Sequence, residues 1–297
     1  MQKKGMNKHI ASLICLLAAI AAFGGAVASC SADEPVPQTM LVVEGWIDEG
    51  EFPVVMLSTT VPISNRPSNL DNVTDNAIRW AHVTVSDGER TETLIGTLDT
   101  TYFPPFIYTS HNMRGQAGKT YHLKVDYNDM HAEATTTVPE GIDADSMRIQ
   151  PTRENNDLYS IQAWVHNDSS QPRFLRVFTH DGLIRRQWLS SVEGTTLTLP
   201  AGEKYSFTVF RGVNSVNGKQ HNPNFSLGEE VSIKLATMDS TSYHFWCDIN
   251  DKSVSTRIPF MTSHRNARTN VQGALGYWCG FGSRVYKMKI EENARQD

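Results

Sequence analysis

Apolar and polar residues alternate with a period of two along most of the chain, in short runs broken by turn residues. Successive side chains of a strand point to opposite faces, so this pattern demands strands with one face in a core. Tyr121, Leu123, Val125 and Tyr127 alternate with His122, Lys124 and Asp126. Val83 and Val85 point one way, and His82, Thr84 and Ser86 the other. Tyr159, Ile161, Ala163 and Val165 repeat the pattern, as do Tyr205, Phe207 and Val209, and Val231, Ile233 and Leu235. Tyr286, Met288 and Ile290 close the chain with Lys287 and Lys289 outward. Asp87-Gly88, Asn128-Asp129 and Asp181-Gly182 supply the hairpin turns. The first run differs. Leu41, Val43 and Ile47 share one face, while Val42 and Trp46 make the other apolar, which predicts a strand buried on both sides.

Many short strands separated by turns predict an all-β chain of two β-sandwich domains, immunoglobulin-like or jelly-roll-like. Pro139-Glu140-Gly141 interrupts the alternation and sets the expected boundary, with residues 39–140 in one sandwich and 141–292 in the other. Tyr243, Trp246, Cys247 and Ile249 fall at helical spacing instead, which predicts a short helix near 240–251, with Ser240 or Thr241 as its cap. Pro62 to Asn76, rich in Pro, Ser, Asn and Asp, reads as a long exposed loop.

The N-terminus is of another kind. Lys3, Lys4 and Lys8 precede an apolar run from Ile10 to Ala28, rich in Ala, Leu, Ile and Gly and interrupted by Ser12 and Cys15, which leads into Val27-Ala28-Ser29-Cys30. That is a signal segment over residues 1–29 with a lipobox, and it is excluded from fold reasoning. Cleavage would leave Cys30 as the N-terminus, its sulfur carrying the lipid. Each buried CH₂ of such acyl chains contributes about 0.8 kcal/mol, so the anchor would hold. Residues 30–38 form a tether. Its Asp33 and Glu34 resemble an export signal toward the cell-surface face of the outer membrane, and Pro35 and Pro37 stiffen it.

Removing the three lysines of the signal takes the net charge from −5 to −8. A mildly acidic chain with scattered Lys and Arg lacks the basic footprint of a nucleic-acid binder. There is no nucleophile elbow, phosphate-binding Gly-Lys-Ser/Thr loop or His-Glu-x-x-His helix, and Gly280-Phe281-Gly282 does not continue into a dinucleotide fingerprint. No cofactor, metal site or catalytic residue is therefore expected. Cys247 and Cys279 are the cysteines left after Cys15 is removed and Cys30 is acylated. A disulfide between them is expected and would contribute about 3 kcal/mol; the alternative is two buried thiols.

Aromatic residues supply the candidate binding surface. Tyr102, Phe106 and Tyr108 surround Pro104-Pro105, either as a rigid docking loop or as a plug for one end of the first sandwich. Trp164 and Trp188 stand where the polar faces of their strands should be, either lining a shallow surface or covering the contact between domains.

Leu41-Val42-Val43-Glu44-Gly45-Trp46-Ile47-Asp48 resembles the opening strand of the family of exported proteins catalogued as domain of unknown function 4249. Val54 to Thr60, Ala77 to Gly88, and Gly118-Lys119-Thr120-Tyr121-His122-Leu123 closing on Thr137-Val138-Pro139 resemble its next blocks. Leu235 to Asp239, Tyr243 to Trp246, and Asn270 to Trp278 resemble its late ones, so the resemblance spans about residues 40 to 290. Ala274 stands where a second glycine is expected, and Cys247 and Cys279 are not family signatures. The resemblance implies an exported lipoprotein of Bacteroides-type Gram-negative bacteria, often encoded beside a TonB-dependent outer-membrane transporter, with no catalytic residues to carry over. The expected function is therefore a non-catalytic accessory or ligand-capture partner of such a transporter. A stand-alone adhesin or carbohydrate-binding module is the alternative, and a hydrolase with an unfamiliar site the third.

Overall fold

The computed structural model describes residues 39–60, 76–102, 104–152, 157–180, 188–190, 196–212, 222–253 and 268–291. The signal segment, Cys30, the tether, nearly all of the 62–76 loop and the Asp181-Gly182 turn lie outside the described residues.

The chain is all-β with one helix among the described residues. The first half contributes β1 (Leu41–Asp48), β2 (Val54–Thr59), β3 (His82–Ser86), β4 (Thr91–Thr93), β5 (Ile95–Leu98), β6 (Phe106–Thr109), β7 (Thr120–Tyr127) and β8 (Met130–Thr137). The second contributes β9 (Ala144–Pro151), β10 (Leu158–His166), β11 (Arg173–His180), β12 (Leu189–Ser190), β13 (Thr196–Leu199), β14 (Lys204–Val209), β15 (Phe225–Ser226) and β16 (Glu230–Met238). Helix α1 (Ser240–Ser253), β17 (Val271–Gln272) and β18 (Leu275–Lys289) complete the described elements.

A nine-stranded sheet runs β12-β11-β16-β18-β1-β2-β6-β5, with β13 also on β11. A five-stranded sheet, β17-β8-β7-β3-β4, covers one part of it, and a four-stranded sheet of β9, β10, β14 and β15 covers another. The first core joins Val43, Ile47 and Val55 of the long sheet to Val83, Val85, Tyr121, Leu123 and Val125. The second joins Leu175, Val177, Ile233 and Leu235 to Ile161, Ala163, Val165 and Phe207. These are the residues whose alternation predicted strands, and the sandwich-like architecture follows from it.

The chain from Thr39 onward is one compact unit, and β18 shows how it is held. This strand pairs in parallel with β1 and antiparallel with β16. Trp278 near its start is fully buried in the first core, together with Val271 and Ala274, while Tyr286 near its end packs against the second. The Pro139-Glu140-Gly141 break crosses this strand. A Cβ on Gly280 would lie 2.8 Å from the Thr137 carbonyl carbon, and one on Gly282 would lie 2.2 Å from the Pro139 carbonyl oxygen. Glycine at both positions lets the two backbones touch, which gives Gly280-Phe281-Gly282 a structural role. Thr237 Oγ1 donates to the Glu140 carbonyl at 2.6 Å and secures the crossing.

The local turn chemistry follows the residues. Tyr127 pairs with Met130 across a turn in which Asn128 takes a φ of 51°, a left-handed conformation that asparagine tolerates. At Asp87-Gly88, Asp87 Oδ1 accepts the Glu89 and Arg90 amides at 3.1 and 3.0 Å. The Arg90 amide above all, with Lys119 and Glu89 adding to it, holds the Asp87 carboxyl down at about 2. The helix differs at its start. Asp239 caps it, Oδ1 accepting the Ser242 amide at 2.7 Å, so neither Ser240 nor Thr241 is the cap.

Candidate functional site

Period-two alternation gives the long sheet two faces, and the face turned away from the two cores is not simply apolar. On β1 it carries Glu44, Trp46 and Asp48, which stand beside Tyr277, Cys279 and Phe281 of β18. On β16 it carries Lys234, which stands beside Phe178 of β11, with Arg176 two residues away. Helix α1 packs over part of this face through Phe245, Ile249 and Trp246, enclosing Tyr277 and Cys279.

Two charged groupings result. Lys234 Nζ lies 3.0 Å from Asp48 Oδ2, and Ser283 Oγ donates to Asp48 Oδ1 at 2.8 Å. The ammonium also sits 4.6 Å from the Phe178 ring centre, 5.3 Å from that of Trp188 and 5.7 Å from that of Phe281. Lys234 and Asp48 are both buried, so the aromatic rings and the carboxylate stand in for the water the ammonium has lost. In the second grouping the Arg176 guanidinium lies 3.6 Å over the Trp246 ring, and burial lowers its pKa to about 10. Tyr277 donates to Glu44 Oε1 at 2.9 Å. Glu44 keeps a sliver of exposed surface, yet its carboxyl is desolvated by its neighbours and its pKa is pushed up to about 8. The Tyr277 hydrogen bond and the nearby Arg176 counter that rise only in part.

Both oxygens of Asp48 are engaged, one by an ammonium and one by a hydroxyl, and the Glu44 carboxyl is held by a phenol. The Lys234–Asp48 pair ties β16 to β1 across the intervening β18.

The residues expected to form a binding surface are scattered. Tyr108 is only 2% exposed and belongs to the first core, so its place on that surface is corrected. Its hydroxyl donates to the Ile78 carbonyl at 2.9 Å and accepts the Ala81 amide at 3.0 Å, and a tyrosine so satisfied at both ends packs as a core residue. Phe106 packs edge-on against it, and Tyr102 lies 6.0 Å from Trp46 on the other side of the sheet. Trp164 is half-buried on the outward side of β10, with Arg148 over its ring at 5.5 Å. Trp188 lies beside His180 and the Lys234 ammonium.

Cys247 and Cys279 are free thiols, a correction to the expected disulfide. Cys279 is fully buried among Phe245, Ile249 and Tyr277 and behaves there as a small hydrophobe, its thiol pushed up by burial. The histidines that alternate into solvent are engaged separately: His131 Nδ1 lies 2.7 Å from Asp126, and His122 Nδ1 lies 3.0 Å from Thr135 Oγ1. Among the described residues no group of three His, Cys, Asp or Glu side chains is placed to hold a metal, and no helix is long and apolar enough to cross a membrane.

Sequence reasoning missed Trp80, which is 90% exposed, and the exposure of Ile95 and Leu98 on β5. It also missed the charged pairs, because Lys234 sits among Ile233, Leu235 and Ala236, where alternation alone assigns it to solvent. The family model described as domain of unknown function (DUF4249) matches residues 29–286. No curated protein matches the chain.

Proposed function

The chain belongs to the DUF4249 family, and from that premise we propose that it is an outer-membrane lipoprotein, held by acylated Cys30, which works as a non-catalytic accessory partner of a TonB-dependent transporter. One observation carries this reading. The small residues Ala28 and Ser29 and then Cys30 follow an apolar segment and precede a tether that ends where the compact β unit begins, at Thr39. A chain so built is a water-soluble body on a lipid leash. The non-catalytic part is supported by the Asp48 and Glu44 carboxyls, which are taken up by Lys234, Ser283 and Tyr277.

Two measurements test it. Cys30→Ala should move the protein from the membrane fraction to the soluble one, with the β unit intact by circular dichroism. Affinity purification of the wild-type chain from detergent-solubilised outer membrane should recover a transporter barrel. Continued tight membrane binding of the variant, or a pull-down without any barrel, sinks the reading.

A further inference from the structure

Strand β5 is one lateral end of the nine-stranded sheet, and among the described residues it pairs with β6 alone. Asp99 N–H donates to the Pro105 carbonyl at 3.1 Å. Antiparallel bonding alternates residue by residue, so the backbones of Ile95 and Thr97 face β6 while those of Gly96 and Leu98 face away from it. Ile95 is 55% exposed and Leu98 69%. Trp80 is 90% exposed. Tyr108, the cross-strand neighbour of Gly96, holds Ile78 and Ala81 through its hydroxyl, and the segment between them carries the exposed indole.

Proteins ordinarily blunt such an edge with charge or proline. Among the described residues strand β9 pairs with β10, and the charged Asp145 and Arg148 and the proline Pro151 are exposed along it. Ile95-Gly96-Thr97-Leu98 carries neither charge nor proline.

We propose that β5 is a docking strand, which takes up an extended polypeptide segment of the outer-membrane partner by strand addition. Outward amides and carbonyls at every second residue recognise an extended backbone, and Ile95, Leu98 and Trp80 supply apolar contacts to its side chains. The small size of the site argues against a second copy of this chain, because a four-residue strand and three side chains bury far less than the roughly 1,000 Å² a stable dimer needs. A short edge suffices for a partner already confined to the same membrane, where the effective concentration is high. A closed barrel has no free strand edges, so the added segment comes from a loop or a terminal extension. This proposal rests on the reading that the chain works beside a transporter.

The test is hydrogen exchange on the purified complex and on the lipid-anchored chain alone. The Gly96 and Leu98 amides should slow at least tenfold in the complex, while the Ile95 and Thr97 amides, already bonded to β6, change little. Ile95→Lys/Leu98→Lys should lower transporter recovery at least tenfold without shifting Tm, whereas Gln150→Lys on β9 should not lower it. If the transporter is recovered but Gly96 and Leu98 exchange as they do in the chain alone, the docking strand is wrong and the accessory reading stands. If no transporter is recovered, both fall. Equal protection in a self-associated chain without transporter would assign the edge to a second copy and overturn the proposal.

Discussion

The two faces of the long sheet are made by the same strands and obey different rules. On the inner face, Val43, Ile47 and Trp278 belong to one cluster of buried apolar side chains, and stability follows from area removed from water. On the outer face, one residue along in the same strands, Glu44, Asp48 and Lys234 meet partners of matched charge or hydrogen-bonding capacity under a partial apolar lid. The inner face is tolerant in kind and strict in volume. The outer face is strict in pairing, because a buried charge is acceptable only with its partner in place.

The largest expected effect is on the inner face. Trp278→Ala removes a fully buried ring and the hydrogen bond from its Nε1 to the Tyr121 carbonyl at 3.1 Å. It should cost about 4 kcal/mol in urea unfolding. A loss below about 1 kcal/mol would break the claim that β18 carries the first core. Lys234→Met should cost about 3 kcal/mol, because Asp48 is left buried without its cation. Adding Asp48→Leu should recover most of that loss, and a double variant no better than the single would show that pairing is not the rule on this face.

Glu44→Gln should act through pH. The Glu44 carboxyl is raised from an ordinary 4.5 to about 8, so its contribution to stability is present below 4.5 and lost as pH rises through 8. Glutamine has no such loss, so the Tm difference between variant and wild type should shift in favour of the variant from pH 4.5 to 8 and then level off. A constant difference over that range would mean the carboxyl is not desolvated. The smallest effect is at the Asp87 turn, which lies on neither face of the long sheet and has the opposite slope. Its carboxyl is lowered from 3.8 to about 2, so its stabilisation is present above 3.8 and lost as pH falls toward 2. Asp87→Asn should cost under about 1 kcal/mol at neutral pH and nothing near pH 1. Thermal melts at the two pH values check both the size and the sign.

The inner face was legible in the sequence because it is written locally. Val83 and Val85, or Ile161, Ala163 and Val165, need only their own strand to declare a buried side, and Asn128 declares its turn. The outer face was not legible. The apolar Val42 and Trp46 predicted burial of β1 on both sides, yet Glu44 lies between them, and only the pairing with β18 shows that its partner is Tyr277. That pairing joins residues far apart in the chain and leaves no periodic signal. Tyr108 was ambiguous for another reason. An aromatic beside prolines reads the same whether it docks or plugs, and the distinction lies in the bonds of its hydroxyl to Ile78 and Ala81. The exposure of β5 was hidden as well, since a strand looks alike in sequence whether it has one neighbour or two.

The parallel pairing of β1 with β18 has a consequence for biosynthesis. Residues made early wait for residues made late, because β18 fills the gap between β1 and β16 in the middle of the long sheet. A product cut short before Leu275 would have two unpaired strand borders where the complete molecule has none. The central seam of the long sheet therefore closes only with the last strand to be made.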